Sequence, residues 1–337
     1  MKTAVLRGFH RPLSIEDRPV PVPGEGEVLV KVRASGLCVS DLHIQDGMIA
    51  SVPLPHVPGH ETAGEVAGVG EGVRGFSAGD RVIVGIDVVC GECRFCRTGR
   101  SNLCSNLKRS GFELDGGHAE YMTAREEQLF KIDPSLPFDQ ACIIPDAVAC
   151  MYHAIKAQAG LRAGDRALIL GVGGLGLQGV QILKHFGAEV YCTSRRQAKL
   201  DLARSLGADH VFATDETLDR EIARVTDGEM CDAVFDNIGI ASSVQTSLRL
   251  VRPGGKVVVA GYGDPAFTVG FQDLVIKEKE IIGIRGSTRQ EIAEVIRLAE
   301  RGKISPCVCR TLPFDRINEG LDALRRGESL GRSVIVF

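Results

Sequence analysis

The sequence predicts an α/β protein: a doubly wound parallel-sheet domain set into a second, mainly antiparallel and irregular β domain. Three observations predict it. Between Ala167 and Thr193 an apolar run, a Gly-rich turn, a helical stretch and a second apolar run follow one another. From about Ala147 onward, short apolar runs alternate with helical patterns, as in a parallel sheet covered on both faces. Before that point, and again in the tail, short β-type runs are separated by turn residues with no βαβ alternation. A chain of 337 residues exceeds one comfortable core and suits two domains. The predicted boundaries are residues 1–146, completed by 290–337, for the β domain and 147–289 for the inserted one.

In chain order, Glu27–Val32, Glu61–Gly68 and Arg81–Val84 read as strands of the first domain. The inserted domain opens with a helical pattern from Met151 to Gly160. It continues with strand Ala167–Leu170, the turn Gly171-Val172-Gly173-Gly174-Leu175-Gly176, helix Leu177–Phe186 and strand Val190–Thr193. Helix Gln197–Leu206, strand Val211–Phe212, helix Leu218–Val225 and strand Ala233–Asp236 follow. Helix Ser243–Leu250, strand Lys256–Ala260 and strand Ile281–Ile284 complete it. Gln290–Arg301 is an amphipathic helix, and Ser333–Phe337 a final strand expected to rejoin the first domain.

The Gly-rich turn lies between a strand and a helix, the setting in which GxGxxG binds a dinucleotide. There Gly171 permits the tight turn, Gly173 lets a pyrophosphate approach the backbone, and Gly176 lets helix and strand pack closely. Gly174 and Leu175 lead into the helix, whose free N–H groups face the phosphates. About 20 residues on, an NAD site carries an acidic residue for the ribose hydroxyls. This chain reads Ser194-Arg195-Arg196 instead. A hydroxyl and guanidinium donors suit a 2′-phosphate, so the expected cofactor is NADP(H).

Composition narrows the remaining classes. Lys and Arg number 40 against 43 Asp and Glu, a net charge of −3, and the basic residues are scattered. Nucleic acid has no footprint. No apolar segment is long enough to span a membrane, and the charged start Met1-Lys2-Thr3 does not read as a secretory leader. Eleven cysteines, clustered and odd in number, point to metal rather than disulfides and to a cytoplasmic compartment.

Cys90, Cys93, Cys96 and Cys104 lie within fifteen residues. Four thiolates so spaced close tetrahedrally on zinc and leave no open position, a structural site. An iron–sulfur cluster is the competing reading. Its ligand run places the fourth cysteine after three residues and before a proline, whereas Cys104 follows after seven and precedes Ser105. A dispersed set, Cys38 and His60, supplies two of the three protein ligands that a catalytic zinc requires.

These landmarks resemble the zinc-dependent medium-chain alcohol dehydrogenases over essentially the whole chain: Gly36-Leu37-Cys38-Val39-Ser40-Asp41-Leu42-His43, Gly59-His60-Glu61, the four-cysteine lobe, Gly171–Gly176 and Pro253-Gly254-Gly255-Lys256. The resemblance implies a GroES-like catalytic domain beside the nucleotide-binding domain, two zinc ions per chain, and a homodimer or homotetramer. It assigns Cys38 and His60 to catalytic zinc, and Ser40 and His43 to a proton relay. Glu61 would approach the metal, Asp41 would orient His60, and Arg332 would meet the pyrophosphate. The third ligand departs from the commonest pattern: where the family has a cysteine, the match is Asp146, with Cys142 and Cys150 as flanking alternatives. Together with the expected NADP(H), the resemblance implies hydride transfer between NADP(H) and an alcohol/aldehyde pair; because NADPH is the cell's reducing currency, the expected direction in vivo is reductive. Met48, Ile49, Ala50, the Gly111–Gly117 loop and the segment after Gly261 would line the substrate pocket. Lys108 and Arg109 leave open a semialdehyde-acid reductase, and a carboxylate ligand leaves open a polyol or sugar dehydrogenase.

Overall fold

The computed structural model describes residues 1–263 and 266–337. The chain divides into two compact units, Cys150–Gly286 and Met1–Ala149 with Ser287–Phe337.

The first of these units is built on six parallel strands: Arg166–Leu170, Glu189–Ser194, His210–Ala213, Cys231–Asp236, Val251–Val259 and Glu280–Gly283. Numbered in that order, they lie 3-2-1-4-5-6 across the sheet. This is the doubly wound arrangement, whose strand order reverses between the first and fourth strands. Both faces are covered, so the strands are runs of apolar residues rather than alternating ones. Leu168, Leu170, Val234 and Val257 pack against Leu218 and Ile222 of helix Leu218–Val225 and Val244 and Leu248 of helix Ala241–Leu250. The helical segment that precedes the first strand ends in the π-type turn Ala154–Ala159 and stops at Gly160, whose φ of 63° is the left-handed conformation that glycine adopts without strain. A second π-type turn, Gln272–Ile276, precedes the last strand. It leaves Phe271, Val275 and Ile276 exposed, so no buried face marks it in the sequence.

The other unit holds a seven-stranded sheet centred on the eleven-residue strand Glu27–Leu37. Its alternation puts Val28, Val30 and Val32 inward against Val66, Val82, Val84, Met122 and Leu129. Every pairing is antiparallel except that of Val308–Pro313 with Arg332–Val336. Helix Arg289–Glu300 begins with a capping box, in which Thr288 N donates to Glu291 Oε2 at 2.8 Å and Glu291 N to Thr288 Oγ1 at 3.3 Å.

Pairing at the end of the central strand gathers three remote stretches of the chain. On one side Ser333 pairs with Leu37 and Val336 with Ala34. On the other, Thr62 pairs with Ser35, and Gly36 N donates to Glu61 O at 2.8 Å. A Cβ at Gly36 would stand 2.0 Å from Glu61 Oε2, so only glycine allows this approach. Cys38, His60-Glu61 and Arg332, distant in sequence, therefore leave the sheet at neighbouring points.

Candidate active site

Cys38 follows the central strand directly and caps the short helix Val39–Gln45, its N–H donating to Asp41 Oδ2 at 2.8 Å. The helix carries Ser40 and His43 three residues apart, on one face. Cys38 Sγ lies 3.6 Å from Ser40 Oγ and 3.4 Å from Asp146 Oδ2, and His60 Nε2 lies 3.6 Å from that same carboxylate oxygen. Asp146 is held on the π-type turn Ile144–Val148. One donor atom from each of Cys38, His60 and Asp146 falls within 4.8 Å of the others. Both ring nitrogens of His60 are buried without a hydrogen bond. A thiol, an imidazole and a carboxylate converging around an orphaned buried nitrogen fit a divalent cation of zinc's preferences, with a coordination position left open.

Neither flanking cysteine joins that cluster among the described residues. Cys142 Sγ donates to Asp139 O at 3.2 Å, and complete burial pushes its thiol well above the usual range, so it is a poor source of thiolate.

Arg332, expected at the pyrophosphate, faces two carboxylates. Its Nε and Nη2 donate to Glu61 at 2.6–3.0 Å, and Nη2 also donates to Asp146 Oδ2. These donors are engaged by the buried Glu61 and the partly buried Asp146. Glu61 is correspondingly held, both its oxygens accepting from Arg332 and Oε1 also from Ala147 N at 3.2 Å. Burial raises its carboxyl to about 7; the Arg332 guanidinium pulls against that, and Asp146 adds to it. Asp41 shows the opposite balance. Burial would raise it, but the His118 and His60 imidazoles hold it well below the usual carboxylate range. Burial lowers His43, with Asp46 opposing, so its imidazole is neutral near pH 7.

Of the expected pocket residues in this unit, Met48 is exposed and Phe112 is buried, its ring centroid 5.0 Å from that of His60. Arg109 does not offer a free cation for a substrate carboxylate. It pairs through two nitrogens with Glu113 at 2.7 and 3.1 Å and stacks over Phe112 at 4.0 Å. Asp264 and Pro265, in the segment after Gly261, lie outside the described residues.

The four-cysteine lobe stands on a two-stranded base, Asp87–Val88 paired with Lys108–Arg109. Cys90 and Cys104 sulfurs are 3.5 Å apart, as are those of Cys93 and Cys96, and all four fall within 4.8 Å of one another. The residues between them are mostly exposed, so no apolar core holds the loop. Backbone N–H groups of Cys96 and Ser105 pull Cys93 down to about 6, while burial and the neighbouring thiols push Cys96 up to about 12. Four thiolates cannot share this space without a cation, which fits a structural metal.

In the nucleotide unit, Gly171 has a φ of 90°. A Cβ at Gly176 would stand 2.7 Å from Gly171 O, whereas one at Gly173 meets nothing within 4 Å. Gly173 caps helix Gly174–His185, so the open space lies at the helix N-terminus, where a pyrophosphate fits. We expect Gly173→Ala to leave thermal unfolding unchanged and to weaken dinucleotide binding by about tenfold or more, the equivalent of about 1.4 kcal/mol. Calorimetric titration of the variant checks this. Ser194 ends the second strand, its Oγ accepting from Arg196 N at 3.1 Å, which leaves the hydroxyl proton free to donate. Arg195 and Arg196 are exposed. Asn237, which follows the fourth strand at the point of strand-order reversal, has both side-chain polar atoms buried without a hydrogen bond. Sequence reasoning missed it; the signal was its place directly after Asp236 at a strand end.

Residues 24–134 match the alcohol dehydrogenase GroES-like domain and residues 174–301 the zinc-binding dehydrogenase domain. An alcohol dehydrogenase of Geobacillus stearothermophilus is 33% identical over 337 residues, covering 99% of each chain. The chain belongs to the zinc-dependent medium-chain alcohol dehydrogenases. An NAD-dependent alcohol dehydrogenase of Sulfolobus acidocaldarius is 34% identical to this dehydrogenase over 345 residues, again covering 99% of both. The crystal structure of the Aeropyrum pernix alcohol dehydrogenase superposes with a TM-score of 0.94 at 32% identity, covering 100% of each chain. Family membership makes this protein an oxidoreductase that uses zinc and a nicotinamide cofactor on a small-molecule substrate.

Proposed function

We propose that this dehydrogenase transfers hydride between NADP(H) and an alcohol/aldehyde pair, working as an aldehyde reductase in the cell. The observation that carries the reading is the convergence of Cys38, His60 and Asp146 beside Ser40. Three unlike donors and an open position are the marks of catalytic rather than structural zinc. Cys90, Cys93, Cys96 and Cys104 would hold the second, structural zinc. The chemistry that these groups supply when bound is Lewis-acid polarisation at the metal and hydride exchange at the nicotinamide.

The chain's own residues do the rest. Cys38, His60 and Asp146 fix the metal's position. Asp41 holds the His60 ring, and Arg332 holds Asp146. Ser40, beside Cys38, is placed to pass a proton between substrate oxygen and the relay. His43, neutral near pH 7, takes that proton during oxidation and returns it during reduction. Gly173, the helix N-terminus after it and Asn237 receive the dinucleotide.

The cofactor preference rests on Ser194, Arg195 and Arg196 at the end of the second strand, where no carboxylate stands. Charge-assisted hydrogen bonds contribute about 1.5–3 kcal/mol each. The double variant Arg195→Ala/Arg196→Ala, which removes two such contacts, should therefore raise KM for NADPH by about 100-fold or more and leave that for NADH nearly unchanged. Initial rates with both cofactors, against neutral aliphatic, aromatic and ω-carboxylated aldehydes, test the whole reading. A wild-type preference for NADH would overturn the cofactor assignment. The Arg109–Glu113 pairing favours neutral over carboxylated aldehydes in that panel.

The gathering of Cys90, Cys93, Cys96 and Cys104 as a metal site supports a reducing, cytoplasmic compartment. Exposed Phe271, Val275 and Ile276 lie in the segment before the edge strand Glu280–Gly283. Apolar surface beside an open sheet edge supports a homo-oligomer formed through the nucleotide unit.

A further inference from the structure

His118 is fully buried yet belongs to no motif that the sequence singled out. Its position is tightly defined. Its backbone N–H donates to Pro58 O at 3.0 Å, and its carbonyl accepts from Ala4 N at 2.9 Å. A Cβ built on Gly59 would stand 2.6 Å from His118 Nδ1. The glycine just before His60, with a φ of 100°, is thus what admits the ring. His118 Nδ1 lies 2.9 Å from Ser35 Oγ. Its Nε2 points to Asp41 Oδ1 at 3.7 Å, the same oxygen that lies 3.6 Å from His60 Nδ1.

Two of these atoms, His118 Nε2 and Asp41 Oδ1, are buried without a hydrogen bond. Leaving such groups unpaired is costly, and here a shift of a few tenths of an ångström would pair them. The tautomer is set by the surroundings. A neutral imidazole has one N–H and one lone pair. If the lone pair faced Asp41, it would oppose a carboxylate. With Ser35 donating to Nδ1, the proton sits on Nε2 and faces the carboxylate instead.

We infer that His118 is a positioning residue for the metal site, clamping the Asp41 carboxylate so that it holds His60 as a ligand. Asp41 is then tied on both sides: Cys38 N–H on Oδ2, the two imidazoles on Oδ1. This fixes the plane of the carboxylate and so the direction of the His60 Nδ1–H bond, which decides where Nε2 points. Partners one step removed from a metal commonly change its affinity by about 10- to 100-fold. The inference rests on the reading that Cys38, His60 and Asp146 bind zinc.

The test compares wild type with His118→Phe, His118→Gln and Ser35→Ala. Zinc affinity is measured by competition with a chelator, and the open site is loaded with Co(II) for its visible d–d spectrum. The four-cysteine lobe serves as an internal control on the fold. His118→Phe should weaken the catalytic-site zinc by about 10- to 100-fold, shift the Co(II) bands and leave the lobe zinc unchanged. His118→Gln, whose amide N–H reaches about as far as Nε2, should recover most of the affinity. Ser35→Ala, which frees the tautomer while keeping the ring, should weaken the site by a smaller factor; this arm decides the matter if His118→Phe does not fold. Wild-type affinity and an unshifted spectrum in His118→Phe, or in Ser35→Ala where His118→Phe does not fold, would overturn the inference. A wild-type chain that binds zinc only in the lobe would overturn the site reading itself, and this inference with it.

Discussion

Asp146→Ala is expected to abolish turnover and to reduce the zinc content from two per chain to one. The carboxylate stands 3.4 Å from Cys38 Sγ and 3.6 Å from His60 Nε2. Without it, a thiol and an imidazole remain, one ligand short of a catalytic zinc site. A metal's polarisation of the substrate oxygen contributes several kcal/mol, and at about 1.4 kcal/mol per tenfold its loss lowers kcat/KM by about a thousandfold or more. The fold should survive, because Glu61 still pairs with Arg332 through both oxygens. Asp146→Cys, which supplies the thiolate common in the family, should retain the second zinc and much of the activity. Metal analysis and steady-state rates on the same preparations read both effects. Two retained zincs and full activity in Asp146→Ala would move the third ligand to another residue.

Arg332→Leu is expected to produce the largest loss of stability. Glu61 is 0% exposed and Arg332 3%, so removal of the guanidinium leaves Glu61 uncompensated in the interior and takes a partner from Asp146. Breaking a buried pair from one side costs about 3–5 kcal/mol, which for a domain of this size lowers Tm by about 10 °C. The effect should depend on pH. In the wild type, burial already raises the Glu61 carboxyl to about 7, with Arg332 pulling it down. In the variant that pull is gone and the folded-state pKa rises further. A group whose pKa is higher in the folded than in the unfolded state loses stabilisation as pH rises. The gap between variant and wild type should therefore widen above about pH 7. Thermal unfolding of zinc-loaded protein at pH 6 and pH 8.5 measures it. A Tm unchanged at both would show that the cluster contributes little.

Both predictions concern contacts that no local pattern announces. Arg332 and Glu61 are 271 residues apart, and Arg332 and Asp146 186. Spacing arguments reach only along a helix, a strand or a loop. The resemblance put Arg332 at the pyrophosphate but gave no sign of its carboxylate partners; the pairing of Ser333 with Leu37 brings its Nε and Nη2 to Glu61 and Asp146. His118 was passed over for a similar reason. A single histidine after two glycines carries no periodicity, and its meaning arises only where the loop lies against Gly59 and Ser35. Arg109 looked available beside Lys108, but Glu113, four residues on, closes the pair.

By itself, the sequence determined what depends on neighbours in the chain. Apolar runs alternating with helical patterns specified the doubly wound sheet, because burial on both faces demands them. The strand–turn–helix order around Gly171, Gly173 and Gly176 specified a phosphate-binding turn, because glycine at these places gives a tight turn, room for a pyrophosphate and close helix–strand packing. Cys90, Cys93, Cys96 and Cys104 were legible as one cluster, because a short loop alone brings their sulfurs together. Only the tertiary structure decided how Cys38, His60, Asp146, Arg332, Glu61, Asp41 and His118 share one site. Their meeting is set by which strands pair beside Glu27–Leu37 and in what register. Strand pairing joins residues hundreds apart at the cost of loop closure alone, and that leaves no trace in local spacing.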